Sequence, residues 1–236
     1  MDFIGDHLPA PLIELYKRLP TVNFQERRQE LQLSAERAGL LQAIIRGEHE
    51  ITHLYTLLDI HLFCLKALHK DTYLQAQVQT HPDASGDLLT YDPPKNGQNL
   101  LKHGLTFAEV TSYSPNFGAL QVPCPNAADG ERLVVLSKLD IPKGATLQLP
   151  TPVILARQDL CTLTVAVLGE QGYRFISARP FHHDNWGRVL DGAVKEIYES
   201  EPEKREAFLQ ACQEAVESDL FDATSSTPLR IIRPAP

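Results

Sequence analysis

The chain has 236 residues and a formal net charge of −8 at pH 7. This length leaves room for one domain with helical extensions or for two small domains, and the acidic balance excludes nucleic-acid binding unless Lys and Arg are concentrated on one surface. Four scattered Cys indicate neither a disulfide framework nor a Cys-based zinc site, and with no signal peptide or apolar spanning segment we expect a cytoplasmic protein without membrane association or cofactor.

Residues 1–85 are predicted to be helical. Ser34 can cap a helix, and apolar residues then recur from Leu40 to Leu68 at spacings of three and four. The pattern predicts either one long amphipathic helix or a hairpin broken near Gly47. Three prolines before residue 21 confine any earlier helix to residues 13–19. We interpret the region as a packing element, which could also form a homodimer.

The same region contains a formal HExxH motif, His49-Glu50-Ile51-Thr52-His53. In zinc proteases the two His of such a motif bind the metal from one helix face and the Glu activates water. A strand beside that helix normally holds the substrate, and fewer than 50 residues without a strand pattern precede the motif here. A zinc metalloprotease through His49, Glu50 and His53 is therefore the third hypothesis for the function. For the motif itself, we prefer the interpretation that it lies on a surface helix that carries two histidines without a metal.

A strand followed by two short helices is predicted from residue 88 onward. Residues 88–91 are apolar and Asp92 followed by Pro93 is a strong helix start. Gly104 is suited to the left-handed conformation of a helix C-cap, with Lys102 and His103 in the last turn. A second helix begins after Thr106, which forms a capping box with Glu109.

From residue 132 the sequence predicts an antiparallel meander. Five short apolar segments rich in β-branched residues are separated by Pro, Gly or Asp. They span residues 132–136, 145–149, 152–156, 161–168 and 173–178, and Gly169 and Gly172 flank a hairpin turn.

The two regions together resemble the BrnT family of bacterial ribonuclease toxins. The matching positions are Asp92, Pro93, Lys95, Asn99, Lys102, His103, Gly104, Phe107, Glu109, Ile176, Ser177, Ala178 and Arg179. The resemblance covers about residues 87–181 and implies a RelE-like fold, an antiparallel sheet with two short N-terminal helices. It also implies endoribonuclease activity and an antitoxin protein as partner. Residues 138–158 enlarge the sheet region relative to the family, and His182 and His183 stand where members carry a basic run.

The resemblance and the patterns together divide the chain into four parts. These are an N-terminal helical region, a BrnT-like α+β domain, a C-terminal helical pair rich in acidic residues, and a flexible tail in which the segment PLRII can add an edge strand. Their bounds are 1–85, 86–183, 184–222 and 223–236.

Metal-independent cleavage of RNA by its 2′-OH requires a base, an acid and cations that hold the phosphorane charge. The predicted catalytic residues are Arg179 and Arg132 as phosphate clamps, His182 or His183 as base or acid, and Glu131 as a second base. The predicted RNA-binding residues are Lys95, Lys102, His103, Arg174 and Arg188. The alternative for His182 and His183 is that they are loop histidines before a helix.

The net charge of the family-like region supports a second hypothesis for the function beside the ribonuclease. Residues 86–188 carry nine Lys and Arg and nine Asp and Glu, so no net positive charge favours RNA. The first hypothesis is a BrnT-like endoribonuclease, with the acidic C-terminal helices as a possible built-in cover of its basic cleft. The second is a non-catalytic regulator that uses the same fold to bind a protein or nucleic-acid partner.

Overall fold

The computed structural model describes residues 2–78, 89–124, 132–145, 147–149, 160–169, 172–197, 202–220 and 230–231. These residues form an α+β protein with a six-stranded mixed sheet, so the predicted fold class is confirmed at that level. The chain divides into two compact units. The helical unit comprises Met1–Asp83, Tyr91–Thr106 and Leu147–Pro150, and the sheet unit comprises Ala84–Thr90, Phe107–Thr146 and Thr151–Pro236.

The helical unit is built from α1 to α6, with a short 3-10 turn after α2. The bounds are α1 Phe3–Asp6, α2 Ala10–Arg18, the 3-10 turn Leu19–Thr21, α3 Ala35–Ile45, α4 Leu54–Leu68, α5 Lys70–Gln75 and α6 Pro93–His103. Helix α2 starts three residues earlier than predicted, because Pro11 occupies the first turn, where its missing N–H costs nothing.

The break near Gly47 is confirmed. Ser34 caps α3 through a 3.2 Å hydrogen bond from the Arg37 N–H to its Oγ. Helix α3 ends at Ile45, and Gly47 takes a positive φ of 73° before α4 begins at Leu54. Leu54, which the pattern places in the apolar stripe, is the first residue of α4 and is 50% exposed.

Strand β1, Leu89–Tyr91, leads into α6 as the sequence predicts. Asp92 is the N-cap of α6, Pro93 opens its first turn, and Gly104 ends it with φ 81° and ψ 8°. Helix α7, Phe107–Ser112, follows directly after Thr106. The predicted boundary at residue 85 differs from the observed division, because α6 buries Leu100 and Leu101 in the apolar core of the helical unit.

The sheet has the strand order β1-β5-β4-β3-β2-β6. Strands β3 to β5 form an antiparallel meander at the predicted segments 132–136, 161–168 and 173–178. Strand β2, which the sequence did not predict, pairs antiparallel with β3, and β6 adds to β2 in parallel. The bounds are β2 Leu120–Pro123, β3 Arg132–Lys138, β4 Cys161–Gly169, β5 Gly172–Phe181 and β6 Arg230–Ile231. The edge strand predicted in the tail is therefore present at residues 230–231, while the predicted flexibility concerns residues outside the described part.

One sheet face packs against the C-terminal helices α8, Trp186–Ile197, and α9, Pro202–Ala215, which a single π turn extends through Leu220. The sheet contributes alternate residues such as Val134, Leu163 and Phe181, and the helices contribute fully buried side chains. The predicted stripes on both helices are confirmed where their side chains are described, at Leu190, Val194, Phe208, Cys212, Val216 and Leu220. Helix α8 begins two residues after Asp184, which the sequence suggested as its cap.

The opposite face of the sheet carries aromatic and hydroxyl side chains. Phe107 of α7 packs edge-on against Phe175 of β5, with ring centroids 5.3 Å apart. Ser137 Oγ lies 3.2 Å from Ser114 Oγ and 3.0 Å from Thr162 Oγ1, so these buried hydroxyls satisfy one another.

The segment 145–149 does not form the predicted strand. Its described residues have no strand conformation, and Leu149 belongs to the core of the helical unit. Gln148 Oε1 accepts hydrogen bonds from the His53 N–H at 3.2 Å and from the Thr52 hydroxyl at 3.4 Å. The apolar pattern therefore reflects packing against helices. The predicted strand at 152–156 lies outside the described residues.

Candidate functional site

The proposed phosphate clamp Arg179 lies on the sheet face that the C-terminal helices cover. Arg179 of β5 stands opposite Leu163 of β4, and directly opposed residues place their side chains on the same face. Leu163 belongs to the apolar cluster under α8 and α9. The Nη1 atom of Arg179 lies 3.5 Å from the position that a Cβ would occupy at Gly192 of α8. Its guanidinium therefore packs against a helix in the space where a substrate phosphate would have to enter.

Arg132 lies on the same face of the sheet as Arg179 but far from it. It stands opposite Val167, which in turn pairs with Arg174, so the two arginines share one row near the β4–β5 turn. Arg179 pairs with Leu163, which pairs with Leu136 of β3. Leu136 is four residues from Arg132, which corresponds to about 13 Å along the strand. Two strand spacings add about 10 Å across the sheet, so the Cα atoms of Arg132 and Arg179 are about 16 Å apart. Apolar residues lie between them, and the structure does not bring them together as one clamp.

His182 and His183 occupy the turn that joins β5 to α8. The backbone N–H of His182 donates to Asn185 Oδ1 at 2.8 Å, and its carbonyl accepts from the Asn185 N–H at 3.1 Å. His182 is 7% exposed, whereas His183 is exposed. The expectation that at most one of them enters a given cleft stays a prediction. Arg188 is exposed on the first turns of α8, and Glu131 lies outside the described residues.

The predicted RNA-binding residues are divided between the two units. Arg174 and Arg188 belong to the sheet unit, whereas Lys95, Lys102 and His103 belong to α6 in the helical unit. Lys95 is exposed, and the Lys102 ammonium donates to Gln32 Oε1 at 2.8 Å. Each unit therefore carries its own small basic group.

Most of the family-like block 92–107 serves the local packing of α6. The Asn96 amide donates to the fully buried Asp59 carboxylate of α4 at 2.7 Å. The Asn99 amide donates to the Leu105 carbonyl at 2.9 Å and so holds the chain that leaves α6. Gly97 permits the backbone of α6 to approach that of α4. Asn99, one of the positions that carry the resemblance, thus has a structural role in this chain, and its neighbours Asn96 and Gly97 pack α6 against α4.

Lys66, Asp92 and Tyr73 form a polar group that the sequence analysis missed. The Lys66 ammonium donates to Asp92 Oδ2 at 2.6 Å and lies 5.6 Å from the centre of the Tyr73 ring. Burial, together with the Asp92 and Asp59 carboxylates, raises the pKa of the Tyr73 hydroxyl. Asp59, an acidic residue inside an otherwise apolar helical stripe, was the sequence signal for the neighbouring pair with Asn96, because a buried carboxylate requires a polar partner.

The HExxH motif does not lie on a helix, and that part of the prediction is wrong. Helix α3 ends at Ile45 and α4 begins at Leu54, so His49 lies in the connection and His53 is the N-cap of α4. The His53 ring accepts a hydrogen bond from the Thr56 N–H at 3.4 Å. The two histidines therefore do not share the helix face that a zinc protease uses. In the described residues no three His, Cys, Asp or Glu side chains are grouped so that they could hold a metal ion.

In the part of the chain that the structure describes, no helix combines the length and apolar character needed to cross a membrane. Comparison with protein-family models, with curated proteins and with solved structures found no match to this chain.

Proposed function

We propose that the protein is a non-catalytic binding protein that uses the sheet and its C-terminal helices as a scaffold for a protein partner. The observation that carries this proposal is the apolar packing of α8 and α9 on the sheet face that holds Arg132 and Arg179. A ribonuclease site on that face would have to admit a phosphate and its solvent. Here Leu190 and Val194 of α8 and Phe208 of α9, each at most 1% exposed, belong to the apolar cluster that occupies part of this face.

The energy of this packing indicates that α8 and α9 do not separate easily from the sheet. Burial of one large apolar side chain stabilises a fold by about 1.5–3 kcal/mol. Leu190, Val194, Phe208 and Val216 are all buried, so separation of the helices from the sheet costs about 6–12 kcal/mol as an upper bound. Whole domains are stable by about 5–15 kcal/mol. The helix pair is therefore an integral part of the sheet unit.

Charge favours a protein over RNA as the partner. The chain is acidic overall, and the described surface of α9 exposes Glu203, Glu206 and Glu214. A protein gains affinity for a polyanion when its clustered Lys and Arg displace the counterions of the polyanion. Each unit of this chain carries only a small basic group. The proposed partner is a separate antitoxin-like protein, and a cytoplasmic location belongs to the same proposal. A homodimer formed through the N-terminal helices stays a separate prediction.

A second candidate function, endoribonuclease by 2′-OH attack, is favoured by one observation. Arg179, His182, His183 and Arg188 lie within ten residues at the β5–α8 junction, and His183 and Arg188 are exposed there. In this candidate His183 would move the proton and the arginines would hold the phosphate charge. The remaining predicted clamp, Arg132, would not take part.

The two candidates predict opposite results on induced expression in bacteria. Three forms are compared: wild type, the triple variant Arg179→Ala, His182→Ala, His183→Ala, and a control variant Arg28→Ala, Lys70→Ala in the helical unit. For a binding protein we expect normal growth and intact total RNA with all three. Growth arrest with RNA loss from the wild type and the control, relieved in the triple variant, would establish the ribonuclease instead.

An assay with purified protein distinguishes a binding protein from a nuclease whose expression does not affect growth. Wild type at micromolar concentration is incubated with a labelled single-stranded RNA in the presence of a chelator, which leaves metal-independent cleavage intact. We expect no product above the level given by the triple variant. Cleavage by the wild type alone would overturn the proposal even if expression were harmless.

A further inference from the structure

A small cavity, partly open to solvent, lies between α4 and α6 of the helical unit. Its volume is about 180 Å³, and it is lined by Phe63, Lys66, Ala67, Pro94, Lys95 and Gln98. Phe63, Lys66 and Ala67 follow one another at the i, i+3 and i+4 spacing of one helix face. Phe63 and Pro94 are buried, so the cavity has an apolar floor. The two lysines and the amide supply its polar groups.

The Lys66 ammonium is fixed at the cavity before any ligand arrives. Its side chain is 34% exposed, and it is held by the Asp92 carboxylate at 2.6 Å and by the face of the Tyr73 ring. An ammonium has three N–H donors, so one bond to Asp92 leaves donors for a ligand. A cation that is already positioned loses little conformational entropy when it binds an anion.

Lys95 and Gln98 add donors that the protein does not use. Within the described residues, neither the Lys95 ammonium nor the Gln98 amide has a side-chain hydrogen bond or ion pair. Both residues lie on α6 beside Pro94, three positions apart, so they face the same rim. The cavity thus combines an apolar floor with three donor groups.

Size and charge together select a class of ligand. A cavity of about 150 Å³ with apolar walls holds a benzene ring, so about 180 Å³ accommodates one ring or branched aliphatic group with a small polar substituent. Two ammonium groups and the Asp92 carboxylate give the site a net charge of about +1. This charge matches a carboxylate better than a phosphomonoester, which carries close to two negative charges at neutral pH.

We propose that the cavity between α4 and α6 is a binding site for an apolar group that carries a single carboxylate, held by Lys66, Lys95 and Gln98 over the floor of Phe63, Ala67 and Pro94. The ligand is a small aromatic or branched carboxylic acid, or the carboxyl-terminal apolar residue of a peptide. This site is independent of the function proposed above, because none of its residues belongs to the sheet unit.

Ligand-observed NMR titrations with benzoate test the charge requirement. We expect saturable binding of benzoate to the wild-type protein and at least tenfold weaker binding of benzamide, which has the same shape without the charge. Equal binding of the two would overturn the assignment of the lysines. Tighter binding of phenyl phosphate than of benzoate would overturn the choice of a monoanion.

Three variants locate the binding. Lys95→Gln removes an exposed charge without a change in the core, and we expect benzoate to bind about tenfold more weakly, the usual effect of one hydrogen bond to a charged group. Ala67→Leu fills the cavity and should abolish binding. Lys70→Gln, an exposed lysine on α5, is the matched control and should bind like the wild type.

The variants also define the results that contradict the proposal. Equal affinities of Lys95→Gln and Lys70→Gln would overturn it, and so would full binding by Ala67→Leu. Circular dichroism establishes whether Ala67→Leu is folded. If it is not, Lys95→Gln remains decisive because its side chain lies on the surface.

The two sources of the ligand are distinguished by a tripeptide. The tripeptide Gly-Gly-Phe with a free carboxyl group is compared with its amide and with benzoate. Tighter binding of the free tripeptide than of benzoate would assign the site to a peptide terminus, and the reverse order would assign it to a small carboxylic acid. In both cases the amide should bind at least tenfold more weakly, and comparable binding of the amide would contradict the proposed role of the carboxylate.

Discussion

Gly97 shows how closely two helices of the helical unit approach each other. A Cβ at this position would lie 2.6 Å from the Asp59 carbonyl carbon and 2.8 Å from the Ile60 nitrogen, both backbone atoms of α4. Backbone atoms within a helix yield less easily than the end of a side chain. The neighbouring bond from Asn96 to the buried Asp59 depends on the same close approach.

We therefore predict that Gly97→Ala destabilises the protein by about 2 kcal/mol or more, although Ala is the better helix former by about 1 kcal/mol. The matched control is Gly187→Ala in α8, where a Cβ meets nothing within 4 Å and the change should be neutral or slightly stabilising. Urea unfolding of both variants measures the difference. Equal stability of the two variants would contradict the close contact between α4 and α6.

His61 makes the free energy of unfolding depend on pH. The ring is 6% exposed in α4, with Nδ1 2.8 Å from the Leu57 carbonyl oxygen and the Tyr16 ring edge-on at 5.4 Å. Burial lowers the pKa of His61, and the Leu57 carbonyl and Asp2 oppose that shift only in part. The folded chain therefore binds fewer protons at this residue than the unfolded chain once the pH falls below about 6.5.

The sign of this linkage means that the free energy of unfolding decreases as the pH falls from 7.5 to 5.5. We expect the wild type to lose more stability over this interval than His61→Gln, which has no proton to take up. Urea unfolding at both pH values measures the two differences. A pH dependence that is unchanged in the variant would place the acid response elsewhere in the chain.

At the scale of elements, the C-terminal helices behave as part of the sheet. Deletion of residues 186–236 would uncover the apolar face formed by residues such as Val134, Leu163 and Phe181. We predict that this truncated chain is insoluble or lacks cooperative unfolding, as measured by solubility, near-ultraviolet circular dichroism and thermal melting.

Deletion of residues 224–236 alone provides the control for that truncation. Among the described residues it removes the short β6 pairing to Leu120 and Gln121, so we expect the chain to remain folded with a modestly lower melting temperature. A soluble, cooperatively folded chain without residues 186–236 that also cleaves RNA would show that the helices are a removable cover.

The elements themselves could be predicted where their signals are local. The cap at Ser34, the Asp92–Pro93 helix start, the left-handed Gly104 and the β4–β5 turn at Gly169 and Gly172 each depend on a few adjacent residues. The segment 145–149 could not be assigned in the same way. Its apolar residues pack against helices distant in the sequence, and periodicity alone does not identify the packing partner.

At the scale of the whole molecule, the candidate site was less predictable than the fold class. Arg132 and Arg179 both lie on strands, as expected, but strand register sets their separation at about 16 Å. Register depends on pairing between segments far apart in the chain. The carboxylate site was missed for a related reason, because Lys66 and Lys95 meet only when α4 and α6 pack together.

Neither unit is continuous along the sequence. The chain enters the helical unit three times, through Met1–Asp83, Tyr91–Thr106 and Leu147–Pro150, and the sheet unit takes up the segments between and after them. No single peptide-bond cleavage therefore releases either unit as an intact fragment. During synthesis, the apolar core formed with α1 to α5 is complete only after α6 and Leu149 have been made, so the helical unit is complete only after strands β1, β2 and β3 have been synthesised.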